Sequence, residues 1–289
     1  MAEEVIGGYR LLKCMMTGQS SQVWEVVEVT SHRHFAMKLL LPEKEKDPEC
    51  RKLLAHEAMV GKKLAHPNVI KIVHVGMEAK PPHFVMEFFP AGSLKVRLLR
   101  KQFDFVKERI DTILKQAATG LAYMNASGWV HRDVKPDNML VNSAGQLKLI
   151  DFALALRIEK PSFFSKLFRK KGKAAGTRSY MAPEQIRDLP LDGRADIYAF
   201  AASAYELVTN RPPFRGSSSQ ELLAKVLVEK PNSPKVYNQD LTDEFCDLIL
   251  RMLAKKKEDR PRDFHEVLMK LRTIKVYKSD PVQKGAGQS

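Results

Sequence analysis

HRDVKPDNML, residues 131–140, gathers an acid, a base and an amide on one short loop. Asp133 supplies a carboxylate, Lys135 an ammonium group two residues on, and Asn138 a neutral oxygen, with Pro136 stiffening the turn between them. Further on, KLIDFALAL (148–156) reads as a buried strand that delivers Asp151, eleven positions after Leu140, to a turn. Phe152 follows it, and Ala153 stands where a glycine would give the turn a freer hinge.

The surrounding chain bounds what such a loop can serve. A length of 289 residues, 44% of them hydrophobic, is enough for a sizeable core or two lobes around a cleft. Cys14, Cys50 and Cys246 are far apart and show no metal-ligand spacing, which excludes a zinc site and fits a reducing, cytoplasmic compartment. No window reaches the 18 apolar residues of a membrane span, and the N-terminus lacks the basic and apolar regions of a signal peptide. The net charge of +14, from 48 basic and 34 acidic residues, should attract acidic partners. Without aromatic residues interleaved along a basic stripe, nucleic acid is an unlikely one.

Two halves differ in pattern. VWEVVEV (23–29) and FAMKLLL (35–41) flank the polar turn TSHRH and predict an antiparallel hairpin. Residues 49–64 have the helical period, interrupted by Gly61, and HPN (66–68) stops that helix before VIKIVHV and HFVMEFF (83–89) resume as strands. From Leu94 onward helices dominate, at 104–126, 192–209, 218–228, 241–253 and 263–273. A small strand pair with a turn at Asn142 to Gly145 is embedded among them. The expected class is α+β and bilobal: a small antiparallel-sheet lobe over about 9–88 and a larger helical lobe over about 92–272, with a polar tail at 273–289 that frays after 275.

HRDVKPDN, Asp151-Phe152, a lysine-bearing strand, a helix glutamate and MAPE (181–184) in this order resemble the eukaryotic-type serine/threonine protein kinases over about residues 9–272. GTRSYMAPEQI and LDGRADIYAF look like bacterial members, which often continue into a membrane span and a sensor domain; this chain either has none or is an excised catalytic domain. The resemblance implies a protein-kinase fold, ATP with Mg²⁺ (Mn²⁺ as the alternative ion), and protein substrates. Asp133 then orients the acceptor hydroxyl and takes its proton, Lys135 neutralises the moving phosphoryl group, and Asn138 and Asp151 offer the hard oxygens that Mg²⁺ prefers. Lys38 grips the inner phosphates and pairs with Glu57, while Val23 and Ala36 above and Leu140 below sandwich adenine. Met86 is the gatekeeper, and Glu87 to Phe89 present backbone groups to the base.

Departures from the family pattern are equally specific. The phosphate-covering loop GxGxxGxV retains only its middle glycine, as Gly18, with Met16 and Ser21 at the other two positions. Gly61 stands four residues after Glu57, where a bulky aliphatic is usual, and leaves less to pack against Phe152 and His131. With Ala153, these replacements motivate an alternative: a pseudokinase that binds nucleotide or scaffolds partners without useful turnover. A small-molecule phosphotransferase is disfavoured by the full MAPE segment. The resemblance also implies that Arg132 pairs with a phosphate on the activation segment, with Ser162 or Ser165 the expected acceptor, and that Thr177 faces the substrate. Glu184 and Arg260 match a buried ion pair, and Asp196 the brace of the catalytic loop. In PSFFSKLFRKKGK (161–173), Phe163, Phe164, Leu167 and Phe168 recur at helical spacing beside Lys166, Arg169, Lys170, Lys171 and Lys173, a short basic amphipathic turn suited to an anionic membrane or an acidic partner.

Overall fold

A computed structural model of the chain describes residues 4–158 and 177–279. Its first lobe is a six-stranded antiparallel sheet, β1 (Val5–Ile6), β2 (Tyr9–Thr17), β3 (Ser21–Glu28), β4 (His34–Leu40), β5 (Ile72–Gly76) and β6 (His83–Glu87), in the order β1-β2-β3-β4-β6-β5. The predicted hairpin is β3–β4, and its turn is made by His32 at φ 55°. Helix α1 (Pro48–Lys62) starts where Asp47 accepts from the Glu49 and Cys50 amides and Pro48 takes the first helical position, which needs no N–H. It runs straight through Gly61, so the expected interruption does not occur. Leu40, Leu54, Ala58, Ile72 and Phe84 form the core between α1 and the sheet.

The second lobe contains β7 (Gly92–Ser93), α2 (Leu94–Leu99), α3 (Phe103–Ala126), β8 (Trp129–Val130), β9 (Met139–Val141), β10 (Leu147–Leu149) and β11 (Leu156–Arg157). The helices α4 (Pro183–Ile186), α5 (Gly193–Thr209), α6 (Ser219–Val228), α7 (Asp243–Met252) and α8 (Phe264–Thr273) follow. The expected strand pair is β9–β10, and β7 extends it. α5 is the central post: from Ala195 to Val208 every residue is buried. Its alanines, Ala201 among them, let neighbouring helices approach, while Tyr198, Phe200 and Tyr205 fill the gaps, each large side chain contributing about 1.5–3 kcal/mol by burial. No helix among the described residues is long and apolar enough to cross a membrane.

The tail departs from expectation at its start. Val276 and Tyr277 are buried, Leu241 bridges to Tyr277, and the Lys107 ammonium lies 5.0 Å from the Tyr277 ring centre. With the Lys278 and Ser279 amides donating to Asp240, these two apolar residues dock the chain as far as Ser279.

His83 is fully buried at the start of β6. Its Nδ1 lies 2.9 Å from the Pro81 carbonyl, which can only accept, so the proton sits on Nδ1 and Nε2 is left bare. Nothing larger than glycine fits beside it, since a Cβ on Gly76 would stand 2.7 Å from Nε2. Burial holds the ring below the usual histidine value; the Pro81 bond opposes this and His74 adds to it. The unfolded chain therefore binds this proton more readily, and stability falls as pH drops below 6.5, with a slope of at most about 1.4 kcal/mol per pH unit. Urea unfolding between pH 7 and pH 5 should give a shallower loss for His83→Gln than for the parent, and equal slopes would exclude His83 as the source.

Candidate functional site

The sheet register sets the upper wall of the cleft. Val23 lies opposite Lys38, and Ala36 opposite Met86, so period-two alternation puts all four on one face. Lys38 Nζ donates to Glu57 Oε2 at 2.6 Å, joining β4 to α1. Burial lowers the Lys38 pKa, but Glu57 and Asp151 outweigh it and hold the ammonium charged. Burial pushes Glu57 up to about 7, with Lys38 pulling the other way and Asp151 adding to the rise.

The loop above this wall is braced in a way the sequence did not announce. The Gly18 amide donates to Ser21 O at 2.8 Å and closes the hairpin. Outside it, Trp24 Nε1 donates to Gln22 Oε1 at 3.1 Å and Gln22 Nε2 to Thr17 Oγ1 at 3.3 Å. Side-chain bonds thus hold a loop whose outer two glycines are Met16 and Ser21. Met16 is 56% exposed.

Below the cleft, four polar groups converge on Asp133 through five hydrogen bonds. Lys135 Nζ donates to Oδ2 at 2.6 Å, and the Thr177 amide and hydroxyl donate to Oδ1 at 2.9 and 3.0 Å. Lys135 also donates to Thr177 Oγ1 at 2.7 Å. Asn138 Nδ2 donates to the Asp133 carbonyl at 2.8 Å and to Oδ2 at 3.2 Å, which turns the amide oxygen the other way. Burial raises the Asp133 carboxyl, yet the charge and hydrogen bond of Lys135 and the Thr177 N–H outweigh it and keep the group below its ordinary value.

Asp151 takes φ 66°, while Ala153 is not among the described non-glycine residues with positive φ. The left-handed step thus falls on the aspartate, which tolerates it, and the added methyl at 153 meets no backbone penalty. Ala153 N donates to Asp151 Oδ1 at 3.3 Å. Phe152 is buried with its ring 5.7 Å from His131, edge to face. The donor set suits a hard divalent ion: one carboxylate from Asp151 and one amide oxygen from Asn138. Among the described residues no cluster of three His, Cys, Asp or Glu side chains could hold a metal, so the rest of a shell at these two donors would come from water or ligand oxygens.

Gly61 proves to be packing space rather than slack. A Cβ there would overlap Ile72 Cδ1 and stand 3.1 Å from Phe152 Cδ2, because Ile72 has moved into the volume a larger residue would take. The expected looseness against Phe152 is therefore absent. Gly61→Leu should lower the unfolding free energy by about 1–3 kcal/mol through overpacking. Combined with Ile72→Ala, which vacates that volume, the loss should be smaller than the sum of the single losses by about 0.5–3 kcal/mol. Urea titration of the four proteins tests this, and strict additivity would refute it.

The remaining predicted residues lie as follows. Leu140 is half-buried on β9, paired with Ser93 and Lys148. Glu87 receives Lys148 Nζ at 2.7 Å and the Lys71 amide at 2.8 Å, so its side chain is committed to a sheet-edge tie. Phe89 is half-buried, 5.8 Å from Lys148 Nζ. Asp196 accepts from the His131 and Arg132 amides at 2.8 and 2.9 Å, and also from Asn125 Nδ2 at 3.0 Å. Arg132 sits at φ 68° with its Nε buried and without a partner among the described residues. Glu184 and Arg260 form a two-pronged pair at 2.6 and 2.8 Å. Ser162, Ser165 and the basic aromatic stretch 161–173 lie outside the described residues. Two contributors escaped sequence reasoning. Asn125 shows only as a polar residue near the end of α3, and His56, whose Nε2 lies 2.7 Å from the Ala155 carbonyl, looks like any helix histidine.

Residues 9–270 match the protein kinase domain family, and the chain belongs to it. It is similar to a probable serine/threonine-protein kinase of Clostridium acetobutylicum, 27% identical over 267 residues, covering 92% of this chain and 40% of the relative. A second, from Corynebacterium efficiens, is 30% identical over 87% of this chain and 39% of its own length. Serine/threonine-protein kinase PknB of Mycobacterium tuberculosis is 26% identical over 94% of this chain and 43% of its own length. The chain thus spans about two fifths of the curated relatives it matches.

Proposed function

We propose that this chain transfers the γ-phosphoryl group of ATP to serine or threonine hydroxyls of protein substrates, in the cytoplasm, with Mg²⁺ or Mn²⁺ bound by Asp151 and Asn138. The observation that carries this reading is the convergence of Lys135, Thr177 and Asn138 on the ionised Asp133, while Lys38 and Glu57 are already paired. Asp133 holds the acceptor hydroxyl in line and takes its proton; Lys135 stays close enough to compensate charge as it moves. The metal, when bound, neutralises phosphate charge. Arg132, whose Nε has no partner among the described residues, would receive a regulatory phosphate.

The pseudokinase alternative draws on Met16, Ser21, Gly61 and Ala153. Each has a compensating contact or an unstrained backbone, which favours turnover. Intact mass after incubation with Mg-ATP and a basic protein acceptor tests the choice, beside Lys38→Met and Asp133→Asn. Mass rising in phosphate steps for the parent alone supports the kinase. No rise, together with a clear thermal shift on Mg-ATP, supports the nucleotide-binding scaffold.

A further inference from the structure

Glu206 is a buried carboxylate on α5, and both its oxygens are taken by other elements. Lys95 Nζ, from the first turn of α2, donates to Oε1 at 2.7 Å, and the Tyr180 hydroxyl donates to Oε2. The trio borders the reacting centre. α2 packs on the Pro136–Asn138 turn and α5 on the Arg178–Tyr180 turn, which follows directly on Thr177. Tyr180 is pushed up first by burial and then by Glu206, with Asp137 and Asp133 adding to the rise, so all three carboxylates act on one hydroxyl. Asp137 is exposed, and its carboxylate makes no hydrogen bond or ion pair with any described residue.

A peptide passing this rim would, without Lys95, meet two uncompensated carboxylates. A buried carboxylate must find a cation, and a substrate arginine or lysine would be the one on offer. Lys95, its side chain 32% exposed, supplies that cation from inside the protein. We infer that Lys95 is a specificity-determining residue: its ammonium occupies the cation site of Glu206 and removes that carboxylate's demand for a basic residue in the peptide substrate. This rests on the kinase reading above.

Position-scanned peptides, each holding one serine with a single neighbour varied, test it on the whole chain. The parent should show no arginine preference that depends on Glu206, with the exposed Asp137 untouched in every variant. Lys95→Ala should prefer arginine by about tenfold at one position, the size of a charge-assisted hydrogen bond, and adding Glu206→Gln should abolish that preference. Should Lys95→Ala fail to fold, Glu206→Gln alone keeps an acceptor for Tyr180 and frees Lys95, and should favour glutamate peptides instead. Unchanged profiles in folded, active variants overturn the inference, as does a parent whose arginine preference disappears with Glu206→Gln. A parent that phosphorylates no peptide and no protein overturns the kinase reading, and this inference with it.

Discussion

Asp133→Asn is expected to lower kcat by about 10²–10⁴-fold, the usual range for losing a positioned proton acceptor. The substitution preserves size, and the amide oxygen still accepts from Thr177. Two things change. The amide cannot take a proton, and Lys135, now 2.6 Å from Oδ2, loses the charge that fixes it beside the moving phosphoryl group. Because Asp133 is held below the ordinary carboxylate value, its own protonation should not limit the parent in mildly acid solution, whereas a residual rate in the variant would depend on hydroxide. Rapid-quench single turnovers separate this from binding, which a thermal shift with Mg-ATP should show intact. A variant within tenfold of the parent would remove Asp133 from the mechanism.

Glu184→Ala should cost about 3–5 kcal/mol of stability, because it strands Arg260 with its side chain fully out of water. The pair joins α4 to the segment before α8, and Arg260 also donates to the carbonyls of Ala254 and Arg194 at 2.8 and 2.9 Å. Those carbonyl bonds cannot replace a lost charge. Removing both partners, as Glu184→Ala with Arg260→Met, should cost less than Glu184→Ala alone, since no bare charge remains. Chemical unfolding of the three proteins reads the order directly, and a double variant less stable than the single one would contradict it.

How much of this was legible in the sequence follows the range of each interaction. Helices α1, α3, α5, α6, α7 and α8 lie within about two residues of their expected bounds, because the 3.6-residue period is local. The short pairs β8–β11 and β7–β9 were not legible: strands of two or three residues have no period, and their partners are distant in the chain. Lys38 with Glu57, and Asp133 with Lys135 and Thr177, could be matched by motif, but motif matching reports identity and not volume. That is why Gly61 looked like slack. Its meaning depends on where Ile72 sends its side chain, which no spacing encodes. The Lys95–Glu206–Tyr180 set was invisible for a related reason, since its three members come from elements up to 111 positions apart.

Asp196 has a consequence beyond bracing a loop. It hangs the His131 and Arg132 amides from the most deeply buried helix of the molecule, so the lower half of the site is a fixed fixture whose shape lasts as long as the fold does. The upper half meets it through scattered single contacts: His56 with the Ala155 carbonyl, Lys148 with Glu87, and a short backbone exchange of Asn68 and Ile70 with Leu149. Strain reaching the site is therefore taken up by α1 and the phosphate loop before it is felt by the floor beneath them.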